Sequence, residues 1–479
     1  RQFCYYPGIN CFIGLGFITQ QNNYYPQEMK KTFITILIIL IHCLAYSQVD
    51  SVPKIPFDGM DLTWVNGQSR IINPLLQLKD KKTGETILTG SAYMDADYNY
   101  NFADPIDNTQ TISSTIGRHN EFHINLASIG VDAAYKNMTG RILLQYGAML
   151  HIVQELDGSV GRGRNTGTGN LKFVREGAAG YHINKWYGIN IEAGIFMSYM
   201  GLESYMVQDN WCFQRSLVCE FTPFYFQGAR LQIHPTKKIK QEIWLVNGWQ
   251  SYNSFGKSPC VGSSTYWRPN ENLQLVANFY YGHDTQNPDT LGNQSRRIRF
   301  HHDNSVVYRY FKRPKSKGIS QMAFSINSHY GFQKGQDRGD TITAAQNNMY
   351  GTSICHRIWF FKNKLAITLR GDFVSNAGNY LAFSPSDVKE NDYTDALKND
   401  PYKPLKINQG TITLDIMPTE YTTFRLEYGH RESNLPYFAG HGGTTSPSGW
   451  VNGPQTQIPW RPDLRKVDNR VTVVVNFRF

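Results

Sequence analysis

Sixteen stretches of this chain alternate apolar with polar side chains, and the connections between them alternate as well, short then long along the whole array. Successive side chains of a strand point to opposite faces, so each stretch reads as a strand with one apolar and one polar surface. The stretches are 87–102, 120–135, 140–151, 173–183, 187–198, 225–234, 239–248, 261–267, 271–281, 298–311, 318–332, 347–361, 364–380, 405–416, 420–432 and 467–479. "KNMT" (136–139), "NKW" (184–186), "PTKK" (235–238), "RPN" (268–270), "KRPKSK" (312–317), "KN" (362–363) and "MPT" (417–419) are the short connections. The long ones are 103–119, 152–172, 199–224, 249–260, 282–297, 333–346, 381–404 and 433–466. A soluble sandwich has no reason to sort its loops by length. A transmembrane antiparallel β-barrel does, with tight turns on the periplasmic side and longer loops outside.

The final segment, "VTVVVNFRF", shows the pattern most clearly. Val471, Val473, Val475, Phe477 and Phe479 share one face, and Arg470, Thr472, Val474, Asn476 and Arg478 the other. Similarly, Leu365, Ile367, Leu369 and Phe373 oppose Thr368, Arg370 and Asp372. In a barrel of this size the first set meets lipid and the second a wet lumen. The stretch 120–135 changes phase near Ala127 and Ser128, which predicts a bulge.

Composition agrees. Aromatic residues are 14% of the chain, 29 of them Tyr and nine Trp, as suits an all-β protein. Mean hydropathy of −0.44 excludes a bundle of membrane-spanning helices. The one long apolar run, 32–46, is shorter than the roughly 20 residues a spanning helix needs. It reads instead as the core of a signal peptide at 29–47, with Met29, Lys30 and Lys31 as start and charged region and Ala45-Tyr46-Ser47 as cleavage site. Residues 1–28 read as upstream sequence from a misplaced start, 48–86 as a periplasmic segment or partial plug, and 87–479 as the barrel. The net charge of +10 is dispersed, with no basic and aromatic stripe for nucleic acid. Cys212, Cys219, Cys260 and Cys355 lack metal-ligand spacing, and the sequence leaves open whether two of them pair.

The segments "FDGMDLTWVNGQSR" (57–70), "GINIEAGIFMSYMGLESY" (188–205), "FTPFYFQGARLQIHPT" (221–236), "WLVNGWQSY" (244–252) and "FRLEYGHRESNLPYFAG" (424–440) resemble the OmpL-like β-barrel porins found especially in the Bacteroidetes. The resemblance covers nearly all of the chain beyond the signal-like run. It implies an outer-membrane barrel, and Phe479 resembles the terminal aromatic by which the barrel assembly machinery recognises its substrates.

Charged residues on the polar face are the candidate pore lining: Asp95, Asp97, Arg141, Glu192, Arg230, Arg299, Asp303, Arg309, Arg357, Arg370, Asp372, Asp415, Arg425 and Glu427, with Arg478 beyond them. Opposed charges at a constriction set a transverse field, and the slight Arg excess favours anions weakly. The bland alternative for each is a solvated wall. Asp95 and Asp97, two apart on one face, suit acid–base work, a hard cation or simply that wall. His430 and Ser433 raise a hydrolase reading, yet a spacing of three puts them on opposite strand faces. In "HHD" (301–303) only one His faces inward, too few for a metal site. Gly-rich 157–170 lacks both phosphate-loop patterns, so it is a loop that either narrows the pore or extends outward. The expected function is passive diffusion of small hydrophilic solutes through an outer-membrane channel, without cofactor or metal; lipid and the assembly machinery are the expected partners, and an oligomer is left open. The rivals are a barrel hydrolase and an exported non-channel β-protein.

Overall fold

The computed structural model describes residues 74–479 except 111–112, 114, 156, 158, 160–167, 255–257, 284–296, 338–339, 379, 382–383, 387, 389 and 446–460. The readings of 1–28, 29–47 and 48–73, and most of the Gly-rich stretch, therefore lie outside the described residues. The main sheet has eighteen strands. Two are three-residue appendages, Gln77–Lys79 and Asp340–Ile342.

The other sixteen form a closed antiparallel barrel. They are β1 (Thr86–Asn101), β2 (Glu121–Tyr135), β3 (Met138–Tyr146), β4 (Val174–Ile183), β5 (Ile189–Met197), β6 (Tyr225–Thr236), β7 (Ile239–Val246), β8 (Cys260–Asn270), β9 (Leu273–Gly282), β10 (Ile298–Lys312), β11 (Ile319–Asp337), β12 (Asn348–Phe360), β13 (Leu365–Ala377), β14 (Leu405–Thr419), β15 (Thr422–Ser433) and β16 (Val467–Arg478). Each pairs with its neighbour in sequence. β16 closes the ring on β1, with Asp95 opposite Asn476 and Tyr93 opposite Arg478. Closure matters energetically, because an open edge would leave backbone groups unpaired where there is no water to satisfy them. Phe479 extends the seam, exchanging backbone hydrogen bonds of 2.7 and 2.9 Å with Ala92.

The alternation seen in the sequence becomes an outer apolar face and an inner polar one. On β16, Val473 and Val475 are exposed while Arg470, Thr472, Val474 and Asn476 are buried. Outer-face aliphatics such as Ile142, Ile354, Leu369, Ile412 and Leu426 occupy the middle of the strands. Exposed aromatics lie toward both ends: Phe122, Tyr281 and Tyr350 on the long-loop side, Tyr135, Tyr181, Trp267, Tyr310 and Phe424 on the short-turn side. An aliphatic band between two aromatic girdles is the surface that a bilayer and its two interfaces select. Among the described residues no helix is long and apolar enough to cross a membrane.

Two expectations shift. The stretch 140–151 is not strand throughout. β3 ends at Tyr146, Gly147 takes φ +125°, and α1 (Ala148–Glu155) follows. Its Met149, Leu150 and Val153 recur at helical spacing and are buried, which is why helix wins there. The bulge of β2 lies slightly before Ala127: the register slips where Asp95 faces Leu126 and Ala96 faces Ile124. Asn125 is thereby the extra residue, and it turns inward beside Leu126. The stretches at 173–183 and 261–267 fold as strands, over Val174–Ile183 and Cys260–Asn270. Within 74–85, Gln77–Lys79 pairs with the start of β1 and is exposed.

The candidate pore and its inward loop

A wide, water-filled lumen would leave the inner-face side chains wet. Here many are covered, and the cover is the connection between β5 and β6. Residues 198–224 turn back into the barrel, where Tyr199, Leu202, Val207, Trp211, Phe213, Leu217, Val218 and Phe224 are buried. A run this rich in large apolar side chains cannot stay in water cheaply. Its short helix α2 (Leu217–Glu220) packs against β11, β12 and β13, across the lumen from its own strands.

Side chains of the far wall hold this loop by its backbone. Arg425 donates to the carbonyls of Val207 (3.1 Å) and Asn210 (2.8 Å), and also to Asp415 (2.6 and 3.0 Å). Arg357 donates to the Trp211 carbonyl (3.0 Å) and pairs with Asp415 at 2.7 Å. Arg370 reaches the carbonyls of Gln214 (2.6 Å) and Arg215 (3.2 Å), with Asp372 at 2.9 Å and Glu203 of the loop at 3.3 Å. Glu427 accepts the backbone N–H groups of Phe213 (2.6 Å) and Gln214 (2.9 Å) and the Thr413 hydroxyl (2.8 Å). Asp303 accepts from the Gly201 N–H, and Arg478 pairs with Asp209. Such charge-assisted bonds are about twice as strong as neutral ones, so the grip is firm.

Of the residues singled out from the sequence, Asp303, Arg357, Arg370, Asp372, Asp415, Arg425, Glu427 and Arg478 thus meet around the loop. A second group gathers nearer β3 to β6: Arg141 pairs with Asp132 and with Glu176 (2.9 Å), and Glu192 with Arg230 (2.7 Å), whose guanidinium lies 4.3 Å over the Phe196 ring. Arg299 stacks on Trp249 and Tyr380, and Arg309 bonds Asn272 and Gln321. Asp95 and Asp97 belong to neither group. The charges are arranged as pairs and loop anchors rather than as two opposed, separated walls.

Over the inward loop lies a second layer. Leu217, Val218 and Cys219 pack with Tyr380, Tyr393, Leu435, Tyr437, Phe438 and Leu464 from the last two long connections. Between those two connections Arg461 pairs with Asp392 and Asp395 of α3 (Asp392–Leu397). Asp107, from the first long connection, accepts three hydrogen bonds from Thr444 and Thr445. The layer is built at the long-loop end alone.

Four free cysteines, Cys212, Cys219, Cys260 and Cys355, are buried. His430 bonds Asn469 and Glu432 on the outer face, whereas Ser433 donates to the Leu435 carbonyl on the inner one. His301 faces inward, and there it meets His329 at 3.0 Å and Tyr380 at 2.8 Å. No three of His, Cys, Asp and Glu gather as a metal site among the described residues. The inward loop was missed in the sequence, although its signal was present: 199–224 carries Cys212 and Cys219 and a density of Tyr, Met, Phe and Trp that no exposed loop keeps.

Lipid-matched outer face, polar inner face and closed ring together define an outer-membrane β-barrel of the porin class. The chain belongs to the family described as "Putative beta-barrel porin-2, OmpL-like", whose profile matches residues 87–457. No curated protein matches it. Among solved structures it is similar to the outer-membrane channel DcaP of Acinetobacter baumannii (10% identity, TM-score 0.48, covering 85% of this chain and 100% of that one). It is also similar to outer-membrane-expressed OmpT of Vibrio cholerae (7%, 0.48, 84% and 100%) and to Salmonella typhi OmpF in complex with daunomycin (11%, 0.47, 84% and 100%).

Proposed function

We propose that this porin passes small hydrophilic solutes by passive diffusion, through a conduit narrowed by residues 198–224, with a weak preference for anions. The observation that carries the reading is the grip of Arg357, Arg370, Arg425 and Glu427 on the loop backbone, which fixes a constriction across the barrel. Anion preference is supported by Arg175 and Arg215, which are buried on the inner side and form no ion pair with a carboxylate among the described residues. The long loops face outside and the short turns the periplasm, lipid surrounds the aliphatic band, and Phe479 serves recognition by the assembly machinery. Transport rather than catalysis is the activity, since His430 and Ser433 serve opposite faces.

Planar-bilayer recording tests this. The wild-type channel should open in small steps, with a reversal potential in a KCl gradient displaced toward that of chloride. Shortening the loop within 205–216, or replacing Arg425 and Glu427 by Ala, should enlarge the steps. A barrel that folds but never conducts, or whose steps ignore both changes, overturns the reading. A reversal potential at zero or toward potassium removes the anion preference alone.

A further inference from the structure

Asp95 and Asp97 are wall carboxylates that, among the described residues, neither hold the loop nor pair with a Lys or Arg. Both are buried, at 0% and 4% exposure, on the inner face of β1. Asp95 Oδ2 accepts from the Asn125 side chain at 2.7 Å, the contact that the β2 bulge makes available. Asp95 Oδ1 and Asp97 Oδ2 have no hydrogen-bond partner, and neither residue meets a Lys or Arg at ion-pair distance among the described residues. The nearby guanidiniums are engaged elsewhere, Arg425 by Asp415 and Arg478 by Asp209.

A separate residue points at the same place. Asn476 sits directly opposite Asp95 across the closing seam, on the same inner face, and is 0% exposed. Its Oδ1 and Nδ2 both lack partners. An orphaned amide beside two carboxylates that each keep an orphaned oxygen is costly, because those atoms gave up water and received no partner in return. One occupant would satisfy all three at once.

We propose that Asp95, Asp97 and Asn476 bind a hard divalent cation of the Ca²⁺ class at the barrel seam. Residues two apart on a strand are about 6.6 Å apart along it, and Ca²⁺ takes oxygens at roughly 2.3–2.6 Å, so one ion fits between carboxylates leaning together. Two carboxylates neutralise its charge, the amide oxygen adds a neutral ligand, and water fills the remaining positions of a six- to eight-coordinate shell. The donor set is all oxygen, which selects against the thiolate- and imidazole-seeking metals. Entry is from the lumen, where Asp97 keeps its residual exposure. The bound ion ties the first barrel strand to the last.

The experiment uses the whole protein, refolded in detergent from denaturant so that no lipopolysaccharide accompanies it, and stripped with a chelator. Calcium and, separately, magnesium are titrated by calorimetry, and thermal unfolding is followed with and without each. Wild type should bind one Ca²⁺ per chain and unfold at a higher temperature with it. Asp95→Asn and Asp97→Asn should each weaken binding at least tenfold, Asn476→Ala by a smaller factor, and the double Asp variant should unfold at the same temperature with calcium or chelator. Each Asp variant removes a buried charge, so folding is not endangered, and the heat-modifiable band on a cold gel checks it. Absence of saturable binding to folded wild type, or binding that survives the double substitution, overturns the proposal. Either outcome is independent of conductance, so it leaves the channel reading untouched.

Discussion

Val475 lies on the outer face of the last strand, 39% exposed, one residue from the buried Asn476. An Arg at Val475 should cost about 2–4 kcal/mol if that position lies near the bilayer midplane, whereas Leu there should be close to neutral. Urea titration of the folded barrel in vesicles measures both; equal stability of the two variants would contradict a lipid-facing site. Outside the membrane, hydrogen bonds from Lys398 and Arg461 hold the Asp395 carboxyl below its ordinary value of 3.8. A lowered value in the folded state means that this contact stabilises fully above pH 3.8 and is lost as pH falls through the depressed value. Hydrogen exchange of residues 390–398 should therefore stay slow at pH 5 and accelerate in stronger acid, while the barrel strands remain protected. Asp395→Asn should bring the faster exchange to neutral pH.

The inward loop is the element whose placement most depends on single side chains. Arg425→Lys keeps the charge but cannot serve Asp415 and two carbonyls together, since an ammonium is a point charge without the planar fork. The expected result is a noisier channel with larger mean current and a loss of about 2–3 kcal/mol, read by bilayer recording and by unfolding, as suits lost hydrogen bonds to a charged group. Strand elements were legible because a two-residue period is enforced over every barrel strand by lipid on one side. The loop was not legible, because nothing local distinguishes an apolar connection that turns inward from one that packs under its neighbours; the partners of Val207 and Phe213 lie more than two hundred residues away. The same reason hid Asn125, whose inward turn depends on a bulge that the sequence placed only approximately. α1 was misread because "AML" continues a strand's apolar run until Gly147 and the spacing of Met149 and Val153 are weighed together.

At the scale of the whole molecule, the sorting of connection lengths was the deciding clue, and it survives in the structure as one crowded end and one bare end. On intact cells, protease should cut within 384–404 or 434–445 and spare the turns at 136–137 and 271–272; cleavage confined to the turns would invert the proposed orientation. The charged residues read from the sequence do lie on the inner side, yet pairing, which no single-chain pattern reveals, decides what each one does. The wall arginines hold carbonyls at Val207, Asn210, Trp211, Gln214 and Arg215, and Glu427 holds two amides, so apart from the ion pairs at Glu203 and Asp209 the barrel recognises the course of the loop more than its side chains. Placement and content are thus largely heritable separately: mutations outside Glu203 and Asp209 can change the lining of the proposed conduit while its frame stays where it is, which makes the segment a cassette whose contents can be exchanged, in evolution or at the bench.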